Sequence, residues 1–483
     1  MGFEIVGSRV LAPYFGNSIF VWGSLISVVL AALSLGYYWG GRLSDKNANF
    51  NYLLALLAIP GILIFCTPFI YPSVNEWVAD MDFGRRLNPL IASFIYFLVP
   101  SIFLGTISPY AIRLSATALS TVGNTAGTLY ALSTCGSIFG TLLTAFFLIP
   151  LMGVSGIIHA LGMTLLVLCS VSWIAAQGQR TRQIATSVLA MVSTVLAPLG
   201  FVWAKTLFEK DTFYHRIRVE EDSGHRSLYF DRTLQSSMNQ ADPTALELLY
   251  SRFASLGLAL KPDAKKVLLI GLGGGSIPKK YHKEFPYMEI DSVEIDPEVI
   301  EVAKTYFQLK VNDNNRVHAQ DGRLFLRRTK NEFDVMLLDA YYADTVPFHL
   351  VTREFFATAK EKLSEDGVLV INLIGALRGQ RSRLVRAVVK TLRGLFPQLY
   401  VFPTFGAHND TLDETQNVIV LASKNPKRMS GKEFEERAIW LGRDLFPKPI
   451  GKIRRSFYDQ TLPEDDVPLL TDDYAPTDSL LNH

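Results

Sequence analysis

The sequence predicts an α-helical transmembrane bundle followed by a Rossmann-like α/β domain with a small β-hairpin region at its entrance. Three observations carry this. Long apolar runs fill the chain up to about Lys205, and the composition turns mixed and charged after Lys210. From Val267 onward, short apolar strands alternate with helical patterns. A glycine run closes the first of these strands, and acids stand at the ends of the next three. The 483 residues carry a formal net charge of only +2, so global electrostatics give no pointer to nucleic acid.

A bilayer-spanning helix needs about 20 mostly apolar residues. Six runs qualify: Ser18–Trp39, Asn51–Tyr71, Leu90–Ile112, Thr125–Leu151, Ser155–Ala175 and Ile184–Ala204. Met1–Phe15 is apolar but holds Glu4 and Arg9, which need partners inside lipid. It lies at the interface or follows an upstream half-helix that the start lacks; the second reading is preferred. No basic n-region of a cleavable signal is present. Gly136 and Gly140, four residues apart in the fourth run, let helices approach closely if they face a neighbour. Without a mid-span cluster of ionisable residues, the bundle reads as an anchor or an apolar binding site rather than a pump. The loops with Arg42, Lys46, Arg113, Arg180 and Arg182 face the cytoplasm by the positive-inside rule. Pro72–Asn88, with Glu76, Asp80 and Asp82 against Arg85 and Arg86, reads as outside. Counting through six spans then leaves the polar half outside the cytoplasm. Cys66, Cys135 and Cys169 all lie in apolar runs, so the polar half has neither a disulfide framework nor a cysteine zinc site.

In the polar half, Tyr214–Glu220 and Ser227–Phe230 around Asp222-Ser223-Gly224 read as a β-hairpin, and Ala245–Leu258 as a helix. The strand Val267–Ile270 then runs into Gly271-Leu272-Gly273-Gly274-Gly275-Ser276. A helix over Pro278–Phe285, a strand over Ile290–Glu294 and a helix over Pro297–Phe307 follow. Strands at Arg316–Ala319, Val335–Asp339, Val368–Asn372, Tyr400–Pro403 and Val418–Ala422, with a helix at Ser382–Leu395, complete a parallel sheet covered on both faces.

Ligands of such sheets bind beyond the carboxyl ends of the strands. There, a turn without side chains lets the backbone approach a ligand. Glu294, roughly 20 residues on at the end of the second strand, can accept both ribose hydroxyls. Asp321-Gly322 follows the third strand, and Asp339 closes the fourth. Singly, each is a common loop or cap; their shared register indicates a nucleoside site. A nicotinamide reading is disfavoured, because the turn is GxGGGS rather than GxGxxG.

Residues 214–375 resemble the polyamine aminopropyltransferase (spermidine synthase) family, a branch of the S-adenosylmethionine-methyltransferase fold. The segments are YHRIRV, LYFDRTLQSS, VLLIGLGGGSIP, VEIDPEVIEVAKTYF, VHAQDGRLFL, FDVMLLDAYYADTVPFHLVTREFF and DGVLVIN. EIVGSRVLAPYFGNSIFVWGS, LGYYWGGRLSDK and LTDDYAP resemble the membrane-fused members. The resemblance implies decarboxylated S-adenosylmethionine as co-substrate, no metal, a small-molecule amine acceptor and, as a candidate partner, a second copy of the chain. It implies that Glu294 holds the ribose, Asp321 reads the adenine amino group, and Gly271, Gly273, Gly274, Gly275 and Gly322 border the co-substrate. Tyr214, Gln235 and Tyr250 match polar pocket positions, with His215 and Tyr342 on the substrate side, and Asp339 matches the first acid of the catalytic loop. Because the co-substrate is made in the cytosol, the chemistry places the polar half in the cytoplasm, against the span count, and is given precedence.

The chain departs from the family in three places. Soluble members carry GGGDGG, whose Asp holds the amine of the aminopropyl group, and that slot is Gly274. The second acid of their catalytic loop is Tyr342, with Asp344 two residues further on as a substitute. The family Gln after the first pocket Tyr is His215. The attacking amine, with a pKa of roughly 10, must lose a proton, so Asp339 or Asp344 is expected as base with Tyr250 assisting. His349 is a second candidate base, though capping or packing beside a Leu350–Phe356 helix is preferred. Asp472, Asp473 and Asp478 are read as a solvated tail, with closure over the pocket mouth as the alternative, and Lys452–Arg455 as a solvated surface, with lipid headgroup contact as the alternative. The expected domains are 1–205, 206–260 (hairpin and linker helix), 261–430 (nucleoside-binding) and 431–483 (C-terminal extension). The expected function is aminopropyl transfer to putrescine or a related amine. The alternatives are methyl transfer to an apolar or lipid acceptor, and non-enzymatic binding of nucleoside or polyamine.

Overall fold

The computed structural model describes residues 1–15, 18–46, 48–81, 83, 84, 86–116, 122–149, 153–176, 206–342, 346–407, 409–442 and 444–481. The chain forms two compact units, Met1–Ala204 and Lys205–His483.

Among the described residues of the first unit, α1 (Gly2–Phe15) precedes five helices long and apolar enough to cross a bilayer. They are α2 (Ile19–Lys46), α3 (Phe50–Met81), α4 (Leu87–Ser115), α5 (Val122–Leu143, continued by a widened turn over Thr144–Leu148) and α6 (Val154–Ala176). These match five of the six expected spans; Ile184–Ala204 lies outside the described residues, as do Asp82, Arg85, Arg180 and Arg182. Helix α1 is not a surface element. Its Val6, Val10 and Leu11 are buried among α2, α4 and α6 side chains, including Val21, Phe97 and Ile157. Asn75 of α3 donates to the Val10 carbonyl (3.0 Å) and accepts from the Tyr96 hydroxyl of α4 (3.0 Å). A neutral polar knot therefore ties three helices where water is scarce. Glycine packing falls elsewhere than expected. A Cβ at Gly36 of α2 would lie 2.8 Å from Gly105 Cα of α4, so these two backbones touch, whereas Gly136 and Gly140 have nothing within 4 Å of theirs. Gly36 and Gly40, where a Cβ would lie 2.7 Å from Thr106 Cα, have the same four-residue spacing, so spacing alone cannot distinguish a packed pair from an unpacked one.

The second unit opens with a four-stranded antiparallel sheet, β1 (Thr206–Asp211), β2 (Arg216–Asp222), β3 (His225–Phe230) and β4 (Thr233–Asn239), twice the expected hairpin. Ser223 (φ 50°) and Gly224 (φ 79°) make the two-residue β2–β3 turn, whose left-handed backbone matches the strand twist. Ile217, Val219, Leu228, Phe230 and Met238 on one face pack with Val299, Val302 and Phe307. The expected Ala245–Leu258 helix is two short ones, α7 (Leu249–Ala254) and α8 (Leu256–Leu260).

The main sheet has seven strands in the order β10-β11-β9-β8-β5-β6-β7. They are β5 (Lys266–Ile270), β6 (Glu289–Glu294), β7 (Asn315–Ala319), β8 (Phe333–Leu338), β9 (Leu363–Gly375), β10 (Gln398–Pro403) and β11 (Gln416–Ser423). Strands β5 to β9 are parallel neighbours, but β11 runs antiparallel to both β9 and β10. The wholly parallel sheet is thus corrected at one edge. The helices are α9 (Ser276–Glu284), α10 (Pro297–Tyr306), α11 (Gly322–Arg328), α12 (Arg353–Glu361), α13 (Arg383–Arg393), α14 (Gly431–Leu441), α15 (Lys452–Ser456) and α16 (Thr477–Leu480). Both sheet faces are covered: Leu268 and Ile270 of β5 enter one apolar layer, Val267 and Leu269 the other. That is why these strands read as unbroken apolar runs. The C-terminal extension packs onto the core, with Leu462, Val467, Leu470, Leu480 and Leu481 buried in the first layer, while Asp472 and Asp473 stay exposed.

Candidate active site

The strand order reverses at β5: β6 lies on one side of it and β8 on the other. The backbone there is drawn tight, with Gly271 N donating to Val293 O (2.9 Å) and Asp339 N to Ile270 O (2.8 Å). Gly271 has φ +100°, and a Cβ on it would stand 2.2 Å from the Asp339 carbonyl oxygen. Gly271→Ala therefore adds both backbone strain and a clash with a strand end. It is expected to destabilise the polar unit by about 3 kcal/mol or more, read as a lower unfolding temperature of the detergent-solubilised chain; an unchanged temperature would refute the tight-bend assignment.

Beyond these strand ends lies a pocket that holds about 710 Å³ of space when the solvent at its open mouth is included. Its lining includes Gly271, Gly273, Glu294, Asp321, Gly322, Asp339, Tyr250, Gln235, His215 and Tyr342. Gly274 and Gly275 stand just behind the lining: Gly275 begins α9 in a left-handed conformation, and Gly274 abuts Ser236, which is on the wall. A Cβ on Gly274 would meet Phe307 at 2.9 Å and Ser236 at 3.0 Å, and its N–H donates to Ser236 Oγ (2.8 Å). Tyr214 also lies off the wall, although burial and the Asp296, Asp321 and Glu294 carboxylates hold its hydroxyl above the ordinary range. Asp344 falls outside the described residues.

The three strand-end acids differ in electrostatics. Glu294 is buried and accepts from Leu272 N (3.0 Å) and Asp296 N (3.1 Å). Burial outweighs these donors and pushes its carboxyl up to about 7. Asp296 accepts from Glu298 N at the start of α10 and from Thr212 Oγ1 (2.5 Å), which fastens the small sheet to the β6 end of the main one. Asp321 accepts from Leu324 N (2.9 Å) at the start of α11 and lies 3.0 Å from His349 Nε2. The His349 contact is the main reason its carboxyl sits below the ordinary range. Asp339 accepts from Asn372 Nδ2 (2.8 Å) and from the Tyr250 hydroxyl, yet burial lifts it to about 6. Burial and Asp339 together hold the Tyr250 hydroxyl well above its ordinary range.

His349, the second candidate base, lies in a 3-10 turn (Phe348–Leu350) and meets Asp321, 28 residues away, at the pocket wall. Other residues around the pocket gave no signal that sequence reasoning used. Phe230 stacks on the His215 ring with centroids 4.1 Å apart. Asn372 holds Asp339 and is itself held by Asn417 (3.0 Å). A lone amide in the apolar run of β9 was the available signal for Asn372; no local pattern pointed to Ser236 or Asn417.

Residues 248–428 match the spermine/spermidine synthase domain. The polyamine aminopropyltransferase of Vibrio vulnificus is 32% identical over 223 residues, covering 44% of this chain and 73% of that protein. The chain belongs to the polyamine aminopropyltransferase family. Polyamine aminopropyltransferase 2 of Aquifex aeolicus is 23% identical over 467 residues, 90% of this chain and 87% of its own, so that likeness extends through the apolar helical unit. Among solved structures, a probable spermidine synthase from Corynebacterium glutamicum aligns over 56% of this chain and 100% of its own, with 17% identity and a TM-score of 0.43. In this member of the polyamine aminopropyltransferase family, two strand-end acids and a Tyr–Asp pair gather beside the glycine turn.

Proposed function

We propose that this chain is a membrane-anchored aminopropyltransferase that moves the aminopropyl group of decarboxylated S-adenosylmethionine to a small amine of the putrescine type. The observation that carries the reading is the convergence of Glu294, Asp321 and Asp339, with Tyr250, on one cavity beside the glycine turn. In this reading Glu294 accepts the ribose hydroxyls and Asp321 the adenine amino group. Asp339 takes the proton of the attacking ammonium, and Tyr250 orients that carboxylate. The freed nitrogen attacks the carbon next to the sulfonium; the C–N bond forms as the C–S bond breaks, and its electron pair stays on sulfur as methylthioadenosine leaves. The five apolar helices support a multi-pass membrane location, and the cytosolic origin of the donor supports a cytoplasmic polar unit. Residues 206–260, 261–430 and 431–483 then serve as the covering sheet with its linker helices, the nucleoside-binding core and the C-terminal extension.

The surroundings of Gly274 favour a second reading. Where soluble relatives are expected to hold the donor's amine with an acid, this chain has Phe307 and Ser236, so nothing at that slot repels a donor carboxylate. S-adenosylmethionine as methyl donor to an apolar acceptor is the alternative. One assay separates the two: purified protein with putrescine and either donor, with products measured. Methylthioadenosine release from the decarboxylated donor supports aminopropyl transfer. Methyl transfer from the carboxylated donor supports the alternative, and binding without turnover rejects both.

The same assay carries a pH prediction. Both working carboxylates have raised values, about 6 for Asp339 and about 7 for Glu294, and both must be ionised. A raised carboxyl stays protonated to higher pH, so activity is lost as pH falls. The kcat/KM for the donor is expected to fall through a limb between about pH 7 and 6. A limb at the ordinary carboxylate position near pH 4 would reject these assignments.

A further inference from the structure

The C-terminal extension reaches the wall of the nucleoside pocket through one guanidinium. Leu470, buried in the apolar layer, accepts from Arg353 N (2.8 Å) and donates its own N–H to Thr391 Oγ1 (3.0 Å). Two residues on, Asp472 receives both terminal nitrogens of Arg323 (2.8 and 2.5 Å) and the Thr352 hydroxyl (2.7 Å). Its N–H donates to Glu354 (2.9 Å). Arg323 stands two residues after Asp321 on α11, and its Nη1 also donates to the His349 carbonyl (3.1 Å). The His349 ring in turn meets Asp321 Oδ2 (3.0 Å). One planar fork therefore joins the tail, the loop after β8 and the helix start that carries Asp321.

We propose that Arg323 and Asp472 are positioning residues for nucleobase recognition. Asp472 holds the guanidinium, the guanidinium fixes the His349 backbone, and His349 holds the Asp321 carboxylate at the angle an adenine amino group requires. This inference rests on the reading of Asp321 as the base-reading acid. Each Asp321 oxygen has a second lone pair, so its contacts with Leu324 N and His349 leave acceptor capacity for the ligand. An exposed ion pair alone contributes little to a fold. This pair is bidentate and its guanidinium is mostly covered (15% exposed), a geometry that a lysine cannot reproduce.

The test uses the full chain in detergent and compares the affinities of 5′-methylthioadenosine and its inosine analogue, in which an oxygen replaces the amino group. The intact chain is expected to prefer the adenosine form clearly, as buried polar sites reject a mismatched partner. Asp472→Asn and Arg323→Lys should each weaken adenosine binding by about tenfold and reduce the preference towards unity. The double variant should lose no more than either single one, and the KM for the amine should stay put. Equal losses for both nucleosides, or an unchanged preference, would overturn the proposal, because a merely structural role does not sort bases. Asp321→Asn separates the two levels of the argument. If it abolishes the preference while Asp472→Asn leaves it intact, only the positioning role fails. If the intact chain has no preference, or Asp321→Asn retains it, the base-reading role falls and the positioning role with it.

Discussion

Asp339→Asn is expected to lower kcat by between 10² and 10⁴-fold while donor affinity changes by less than about threefold. The span is what removal of a positioned general base costs, or about 3–5 kcal/mol of barrier. Asparagine keeps the shape and can still accept from Asn372 Nδ2, 2.8 Å from the present carboxylate. Folding and the pocket wall should therefore survive, and the loss should lie in kcat rather than in binding. A companion variant sharpens the reading. Tyr250→Phe removes a donor that lowers the Asp339 value, so the acid limb assigned to Asp339 should move upward from about 6. Its rate loss should be smaller, on the order of tenfold for one supporting hydrogen bond. Steady-state kinetics of both proteins from pH 5 to 9 check this. An undiminished kcat in Asp339→Asn would move the base to Asp344.

The parts of this fold that the sequence makes legible are those whose cause is local. Val267–Ile270 is apolar on both sides because the strand is sandwiched, and the following glycines are needed where Gly271 meets the Asp339 carbonyl. The strand-end acids follow from the same register, since a residue just past a parallel strand has only one edge of the sheet to occupy. What was not legible depends on partners distant in the chain. The apolar run of β11 fits a parallel or an antiparallel strand equally, and its direction is fixed by pairing with β9 and β10. Strand β4 is half polar because Ser236 points at the Gly274 amide, so its pattern did not announce a strand. The burial of Leu462, Val467, Leu470 and Leu480 was not legible either, because these residues follow no helical or strand period. Two glycine pairs with one spacing, Gly36/Gly40 and Gly136/Gly140, differ only in which neighbour is present.

Glu294→Gln is expected to weaken nucleoside binding by on the order of 100-fold or more, with kcat at saturating donor falling far less. A carboxylate accepting two hydroxyls makes charge-assisted hydrogen bonds worth about 1.5–3 kcal/mol each, and the amide offers one uncharged acceptor oxygen in place of two charged ones. Two features of the site raise the stake. Glu294 is 6% exposed, so water cannot replace the missing acceptor, and Leu272 N and Asp296 N already claim part of its acceptor capacity. The glutamine must also turn its NH₂ towards a donor, either one of those amides or the ribose. Titration with methylthioadenosine measures the loss directly. The pH dependence gives an internal control: in the parent chain, affinity should fall as pH drops through about 7, where the burial-raised carboxyl takes up its proton. In the variant that limb should vanish, because the amide does not titrate. Persistence of the limb in Glu294→Gln would show that another group governs binding, and the ribose assignment would have to move to it.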